Sequence, residues 1–288
     1  MCSKLLITMD KEKKVLLVAW DFSEVSEYAL AHAVRLGKIV ENSIRLFHMV
    51  RDEKDAKASE EKLKKITNDE SAKYNITIDY VCVVGKLFNV ISEYAADEKN
   101  KINLVFMGTH GMKGSQKLFG SWALKVIAGS SVPFIVVQRP PEGDGRYSNI
   151  VFPVDFKAEN KEKLQWAIFL GKYMNSKIHL YKSTGIDKHI QKKINVNLNF
   201  AIRFLIQNNI EYEIYEAART KNFPREVVNF TKSINGDLIM ITTTKHITLV
   251  DYLFGAEEQF LLANPEGIPI MCVNPKSNFA KVSQFMYG

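Results

Sequence analysis

A glycine-rich segment between an apolar run and a helical pattern contains the residues best suited to binding chemistry. It spans residues 108–121 and has the sequence GTHGMKGSQKLFGS. Glycine lets a backbone approach a ligand closely and adopt positive φ angles. Ser121 would cap the helix that follows, and the free N–H groups of a helix start favour a phosphate. The segment therefore predicts a phosphate-binding loop, with a flexible loop that binds no ligand as the alternative.

Asp21 is the second candidate, because it directly follows the apolar run Val15–Ala19. In an open parallel sheet, ligands bind beyond the carboxyl ends of the strands. Asp21 and the glycine-rich loop are therefore expected to face one crevice, although Asp21 could instead be a helix-capping carboxylate. The loop matches neither the Gly-x-x-x-x-Gly-Lys-Ser/Thr nor the Gly-x-Gly-x-x-Gly pattern of other nucleotide-binding proteins.

Strand and helix patterns alternate around these candidates. Apolar runs predict strands over 15–19, 43–50, 77–84, 102–107 and 134–138. Apolar residues at helical spacing predict a helix after Ser23, which is a suitable N-cap, and Gly37 is predicted to end it. Regular alternation of this kind predicts a parallel sheet with helices on both faces.

The chain is an internal repeat. Asp21-Phe22 recurs as Asp155-Phe156, and Leu36-Gly37-Lys38 recurs as Leu170-Gly171-Lys172, both 134 positions later. The spacing is inferred to shift locally in the middle of the repeat. The predicted fold class is therefore α/β, with two tandem doubly wound domains, each an open five-stranded parallel sheet. The predicted divisions are domain 1 at 1–139, a linker at 140–145, domain 2 at 146–276 and a C-terminal tail at 277–288.

Five separated motifs give the chain a family resemblance. Their sequences are VAWDFS at 18–23, FHMV at 47–50, MGTHG at 107–111, GS at 120–121 and VPFIVV at 132–137. Together they resemble the universal stress protein family, as a tandem two-domain member whose second copy matches more weakly. The resemblance implies a fold like that of the adenine nucleotide alpha hydrolases. Members of this family divide into those that bind ATP and those that do not.

The resemblance also implies a set of adenine-nucleotide contacts in the first domain. ATP is the implied ligand, with AMP or ADP as alternatives and Mg²⁺ as an accompanying ion. Asp21 would meet the ribose or adenine region, and the Met49 backbone would read the adenine edge. Ala19 and Met107 would line the adenine slot. The phosphates would be bound by Gly108, Gly111, Gly120 and Ser121.

The sequence departs from the family pattern in both copies. Eight residues separate Gly111 from Gly120, where the family pattern has nine. In the second copy, Thr242 and Lys245 stand where Gly108 and Gly111 stand in the first. Because their Cβ atoms obstruct close backbone approach, the second copy is predicted not to bind ATP. Changing Gly108 to valine is expected to abolish nucleotide binding and leave the fold intact.

These features predict a stress-response or regulatory protein that binds ATP or a related nucleotide in domain 1. Domain 2 would be its non-binding pseudo-dimer partner. Whether the chain is an enzyme stays open: no catalytic residue is assigned, and the loop offers charge stabilisation without an evident base, so any hydrolysis would be slow. The alternative is a module that binds a protein or another small ligand.

Composition and charge limit the other partners. The net charge of +7 is spread over both halves, which disfavours nucleic acid as a partner. No apolar run approaches the roughly 20 residues needed to span a membrane, so a cytoplasmic protein is expected. The histidines and cysteines have no metal-ligand spacing. The resemblance implies one further contact, because single-domain family members commonly pair through the fifth strand: the apolar runs 132–137 and 268–273 are expected to pair within the chain. A homodimer and an unknown protein partner stay open.

Overall fold

The computed structural model describes residues 13–85, 90–110, 121–143, 146–156, 161–185, 187–218, 222–243 and 256–274. Within these residues no helix has both the length and the apolar content to cross a membrane. The strands are β1 (Val15–Ala19), β2 (Ser43–Val50), β3 (Ile78–Val84), β4 (Ile102–Gly108), β5 (Phe134–Val137), β6 (Asn149–Val154), β7 (Lys177–Lys182), β8 (Tyr212–Glu216), β9 (Leu238–Thr242) and β10 (Ile270–Val273). The α-helices are α1 (Glu24–Val40), α2 (Glu53–Tyr74), α3 (Val90–Ala96), α4 (Ser121–Gly129), α5 (Lys161–Met174), α6 (Lys188–Gln207), α7 (Phe223–Ser233) and α8 (Ala256–Leu262).

All of these strands belong to one sheet, in the order β3-β2-β1-β4-β5-β10-β9-β6-β7-β8. Neighbours within each set of five run parallel, whereas β5 and β10 pair antiparallel at the centre. In that pairing Ile270 lies opposite Val136, and Cys272 lies opposite Phe134. The predicted pairing of the last strands of the two copies is therefore confirmed. It covers two edges whose backbone groups would otherwise be open to other chains.

The strand registers contain the internal repeat. β1 and β2 pair with Val15 opposite Ser43, and β6 and β7 repeat this as Asn149 opposite Lys177, 134 residues later. The same spacing relates the β2–β3 register to the β7–β8 register. The inference of a local shift in the middle of the repeat is therefore wrong for these strands. Too few residues are shared there for sequence matching to follow the register.

Helices pack on both faces of the sheet and create two hydrophobic cores, each containing residues of both halves. Alternate side chains of β1 enter different cores: Leu16 and Val18 pack on one face, and Leu17 packs on the other. Trp20 is 6% exposed and joins the core of Leu16, as strand alternation predicts. The predicted α/β class, with helices on both faces of parallel sheets, is confirmed.

Helix α1 starts where the sequence predicts but ends later. The Ser23 hydroxyl accepts a hydrogen bond from the Ser26 backbone N–H at 3.4 Å, so Ser23 is the N-cap. The prediction that Gly37 ends the helix is wrong, since α1 continues to Val40 and closes at Glu41 with φ of 57°. A Cβ at position 37 would lie 3.0 Å from Ile76 Cδ1. Gly37 therefore allows close packing inside the helix rather than terminating it.

The segment between the two halves is held against α1 by hydrogen bonds, of which that between His32 and Tyr147 is buried. His32 is 3% exposed; its Nδ1 lies 2.9 Å from the Tyr147 hydroxyl, and its Nε2 lies 3.2 Å from the Arg139 carbonyl oxygen. One turn along the helix, the Arg35 guanidinium donates to the carbonyl oxygens of Glu142 and Gly143 at 2.7 and 3.1 Å. Helix α1 thus fixes where the chain enters its second half.

This contact makes stability depend on pH. Burial lowers the pKa of His32 from 6.5 to about 4. Unfolding returns the ring to water, so between these pH values the unfolded chain binds more protons than the folded chain. The contribution of His32 is therefore complete above pH 6.5 and is lost as the pH falls toward 4, by about 3 kcal/mol in total. Urea unfolding across this pH range should show the loss.

Two variants identify the group responsible. His32→Gln should flatten the dependence between these pH values, whereas His189→Gln, at an exposed position of α6, should keep the wild-type slope. Equal slopes for the wild type and His32→Gln would show that His32 is not the titrating group.

Candidate functional site

The candidate site lies at the carboxyl edge of β1 and β4. These strands are neighbours, and the chain leaves them in opposite directions: β1 connects through α1 to β2, while β4 connects through α4 to β5. A crevice forms at such a switch point, because the two connections diverge there. Asp21 follows β1 and Gly108 ends β4, so the topology brings both candidates to this edge.

Three predicted slot residues share one face of the sheet. Ala19 lies opposite Phe47 on one side and Met107 on the other. Ala19 and Met49 are partly buried against the core that contains Met107, whose side chain is 4% exposed. The structure therefore brings Ala19, Met49 and Met107 to one wall, with the two half-buried side chains nearer to solvent.

Asp21 closes the turn into α1. Its Oδ1 accepts hydrogen bonds from the Ser23 backbone N–H, at 3.0 Å, and from the Ser23 hydroxyl. Ser23 in turn caps the helix, so Asp21 supports the helix start through it. The carboxylate is exposed at the edge of the sheet. The residue that caps α1 is Ser23, so Asp21 contributes to the helix start indirectly, with one of its two carboxylate oxygens.

Phe22 is an edge residue that the sequence analysis did not select. It has a φ of 64°, a left-handed conformation that costs a non-glycine residue about 1–2 kcal/mol. Its ring is 37% exposed, and its centroid lies 4.6 Å from that of His48. His48 is fixed in turn by its Nδ1, 2.8 Å from the Trp20 carbonyl oxygen. The sequence signal that could have selected Phe22 is the recurrence of Asp-Phe in both copies. Its counterpart Phe156 is also exposed.

Gly108 is required by packing between β4 and α1. A Cβ at this position would lie 2.0 Å from the Val25 carbonyl oxygen and 2.4 Å from its carbonyl carbon. These are backbone atoms of the first turn of α1, so they cannot rotate away. The expectation that Gly108→Val would leave the fold intact is therefore wrong. The glycine that ends β4 lets α1 begin directly against the candidate site.

Much of the predicted phosphate loop falls outside the described residues, including Gly111 and Gly120. Ser121 is the first residue of α4. Because α4 follows the loop that leaves β4, its N-terminal end belongs to the same edge as Asp21 and Gly108. Among the described residues, no three histidine, cysteine or acidic side chains meet in a way that could hold a metal ion.

At the carboxyl edge of the second half, polar groups of β7 and β8 have internal partners. Lys182 and Glu216, at the ends of β7 and β8, form an ion pair at 3.2 Å. The Thr184 hydroxyl donates to the Ala217 carbonyl oxygen at 2.7 Å. Thr242 ends β9 where Gly108 ends β4, since both residues lie opposite the last residue of the adjacent final strand. The second edge thus has internal partners and a Cβ at the glycine position.

Comparisons with known proteins agree with this architecture. A model of the universal stress protein family matches residues 13–138. A comparison with curated proteins found no match. Among solved structures, a universal stress protein from Archaeoglobus fulgidus is 15% identical with a TM-score of 0.72, over 92% of this chain and 99% of that chain.

Two smaller structures match only part of the chain. A hypothetical protein, the subject of a structure-based assignment of biochemical function, is 30% identical over 45% of this chain and 98% of that chain, with a TM-score of 0.32. A universal stress protein from Archaeoglobus fulgidus in complex with dAMP is 18% identical over 44% of this chain and 98% of that chain, with a TM-score of 0.36.

Proposed function

We propose, on the premise that this chain belongs to the universal stress protein family, that its first half binds an adenine nucleotide at the edge of β1 and β4. ATP is the first candidate, with ADP and AMP as alternatives and Mg²⁺ as an accompanying ion. The second half is proposed as a partner that pairs with the first and binds no nucleotide. The proposed role is regulation in a stress response, in the cytoplasm.

The observation that carries the proposal is the switch point between β1 and β4, where the chain leaves two neighbouring strands in opposite directions. Asp21 follows β1, Gly108 ends β4, and the start of α4 belongs to the same edge. A helix start supplies free N–H groups and a partial positive charge, which suit a phosphate. An exposed carboxylate next to it suits the hydroxyl groups of a ribose, because carboxylate oxygens accept hydrogen bonds.

The proposed contacts follow from this placement. Asp21 would accept from the ribose, the Met49 backbone would read the adenine edge, and Ala19 and Met107 would form the wall. Gly108 would border the site, and its lack of a side chain leaves room for the start of α1. The remaining phosphate contacts are proposed for Gly111, Gly120 and Ser121.

Differences at the second edge support one site per chain. Thr242 places a Cβ at the position of Gly108. On the neighbouring strands β7 and β8, the ion pair of Lys182 with Glu216 and the hydrogen bond of Thr184 with Ala217 occupy further polar groups. The first edge offers Asp21 on an exposed turn.

Turnover of the nucleotide is proposed to be slow or absent. Hydrolysis needs a group that takes a proton from the attacking water, held within hydrogen-bond reach. His110 follows β4 and is exposed, and no described residue orients its ring. Binding alone would then change which partner the protein contacts. A homodimer and a separate protein partner remain predictions.

A calorimetric titration with ATP, ADP and AMP tests the role of Asp21. Asp21→Asn keeps an oxygen that can accept from Ser23 but removes the charge, so the melting temperature should change little. If Asp21 also contacts the ribose, affinity should fall roughly tenfold, as expected for losing a hydrogen bond to a charged group. The dAMP bound in the Archaeoglobus fulgidus structure makes AMP the first probe.

Asp155→Asn is the matched control, because Asp155 occupies the same position in the second half. It should leave nucleotide affinity unchanged. Equal affinity for the wild type and Asp21→Asn would show that Asp21 only closes the turn into α1.

A further inference from the structure

A second cleft lies at the opposite, amino-terminal edge of the first half. It has a volume of ≈ 470 Å³, which is within the range of small-molecule sites. Its lining comes from the ends of α1 and α2, from the starts of β2 and β3, and from Lys13, which precedes β1. The length of the strands separates this cleft from the edge that contains Asp21.

Two left-handed residues shape its opening. Glu41 ends α1 with φ of 57°, and Asn75 ends α2 with φ of 51°. Each backbone N–H at these positions returns to its own helix, to the carbonyl oxygens of Gly37 and Ser71. The chain then turns sharply into β2 and β3, which leaves the cleft between the two helix ends.

The cleft contains a buried amide that lacks a partner. Asn42 is only 4% exposed, and its Nδ2 has no hydrogen-bond partner among the described residues. A buried donor without an acceptor destabilises the folded state, so such groups are rare in proteins. The nitrogen is closed to solvent in this conformation, so the Asn42 side chain would turn toward the cleft to reach an acceptor on a ligand.

The charged side chains of the lining also favour an acceptor. Lys13 and Lys38 form no ion pair within the part of the chain that the structure describes. Lys38 Nζ lies 5.9 Å from the centroid of the Tyr74 ring. This contact with the ring leaves the N–H donors of Lys38 available to a ligand. Glu41 is the one acidic residue of the lining. Two ammonium groups and an unpaired amide together suit an anion.

The second half has the same backbone here but different chemistry. Asn175 and Asn209 have φ angles of 57° and 55° at the positions of Glu41 and Asn75. Ser176 replaces Asn42, and its hydroxyl donates to the Leu170 carbonyl oxygen at 3.2 Å. Lys177 replaces Ser43 and forms an ion pair with Glu211, which replaces Thr77, at 3.3 Å. The polar groups at this position therefore have partners within the second half. In the first half, the Asn42 amide has none among the described residues.

From this difference we infer that the cleft between α1, α2 and the start of β2 binds a small carboxylate or phosphate anion. Its carboxylate or phosphate group accepts from Asn42 Nδ2 and from the ammonium groups of Lys13 and Lys38. The Ser43 and Thr77 hydroxyls border the rest of the ligand. This site is separate from the proposed nucleotide site and does not depend on it.

Nuclear magnetic resonance of the full chain tests the site, because the Asn42 side-chain amide can be observed directly. Succinate and inorganic phosphate are the two probes, added separately at rising concentration. At least one should shift the Asn42 amide resonance saturably, and the one that binds more tightly identifies the anion class. Absence of a saturable shift with both probes would overturn the proposal.

Two variants that introduce residues of the second half distinguish an effect on binding from an effect on folding. Binding to the variants is followed through the backbone amide resonance of Ile76, which also lines the cleft. Asn42→Ser should weaken binding roughly tenfold without lowering the melting temperature. Serine at this position can donate to the Leu36 carbonyl oxygen, as Ser176 donates to that of Leu170. The double variant Ser43→Lys with Thr77→Glu should close the cleft with the ion pair seen in the second half. Lys172→Gln, at the position equivalent to Lys38, is the control and should bind like the wild type. Wild-type affinity in both cleft variants would also overturn the proposal.

Discussion

Gly108→Ala is expected to destabilise the protein by about 3 kcal/mol or more, the upper range for overpacking a well-packed interior. The added Cβ would lie 2.0 Å from the Val25 carbonyl oxygen, so α1 must move away from β4. The first turn of α1 also contains the Ser23 cap that Asp21 supports. The variant should therefore lose both stability and the arrangement of the candidate site, and urea unfolding measures the first effect.

Gly129→Ala is the control for this substitution. Gly129 ends α4, and a Cβ there would meet no atom within 4 Å. Alanine should be neutral or stabilise the protein by about 0.4–1 kcal/mol, because it restricts the unfolded chain. A Gly108→Ala protein as stable as the wild type would show that α1 does not pack against β4 at this distance.

Phe134→Ala is expected to cost about 3–5 kcal/mol, the usual range for removing a buried phenylalanine. Phe134 is fully buried in β5 and lies opposite Cys272 of β10, where the two halves meet. Its core contains residues of both halves. The loss should therefore appear in both halves, as one unfolding transition that moves to lower temperature in a calorimetric scan.

Phe156→Ala provides the matched control, since Phe156 is 50% exposed. It should change stability by less than about 0.5 kcal/mol. Two separate transitions, of which Phe134→Ala lowers only one, would contradict a cooperative ten-stranded sheet.

Much of the fold could be predicted from sequence because its signals are local or repeated. A continuous apolar run located β1 at its observed bounds, since a strand covered on both faces needs apolar residues throughout. The bounds of β2 were also predicted, although Ser43, Arg45 and His48 interrupt its apolar residues. The pairing of β5 with β10 was expected from the family resemblance, since single-domain members commonly pair through the fifth strand. The end of α1 was missed because Gly37 has a packing role, and contact with Ile76 leaves no local pattern.

The candidate site was less predictable for the same reason. Motif matching selected Gly108 for ligand approach, but the structure shows contact with Val25, which is distant in sequence. The left-handed Phe22 and the bonds between Asp21 and Ser23 depend on backbone geometry that residue type does not determine. The buried His32–Tyr147 contact joins residues 115 positions apart, so neither residue marks the other in the sequence.

The two halves illustrate how a duplicated fold can diverge at its edges while keeping its cores. The strand registers are preserved, and both cores run through the whole sheet. At each edge, however, the second half satisfies its polar groups internally, with Lys182 and Glu216 at one end and Lys177 and Glu211 at the other. Binding capacity is therefore expected in the first half at both edges.

The stoichiometry of adenine-nucleotide binding tests the central claim most directly. Isothermal titration of the full chain with ATP, and then with AMP, should give saturable binding of one nucleotide per chain. That ratio would show that only one of the two equivalent edges of the sheet binds a nucleotide. Absence of saturable binding with either nucleotide, or binding of two per chain, would contradict the account.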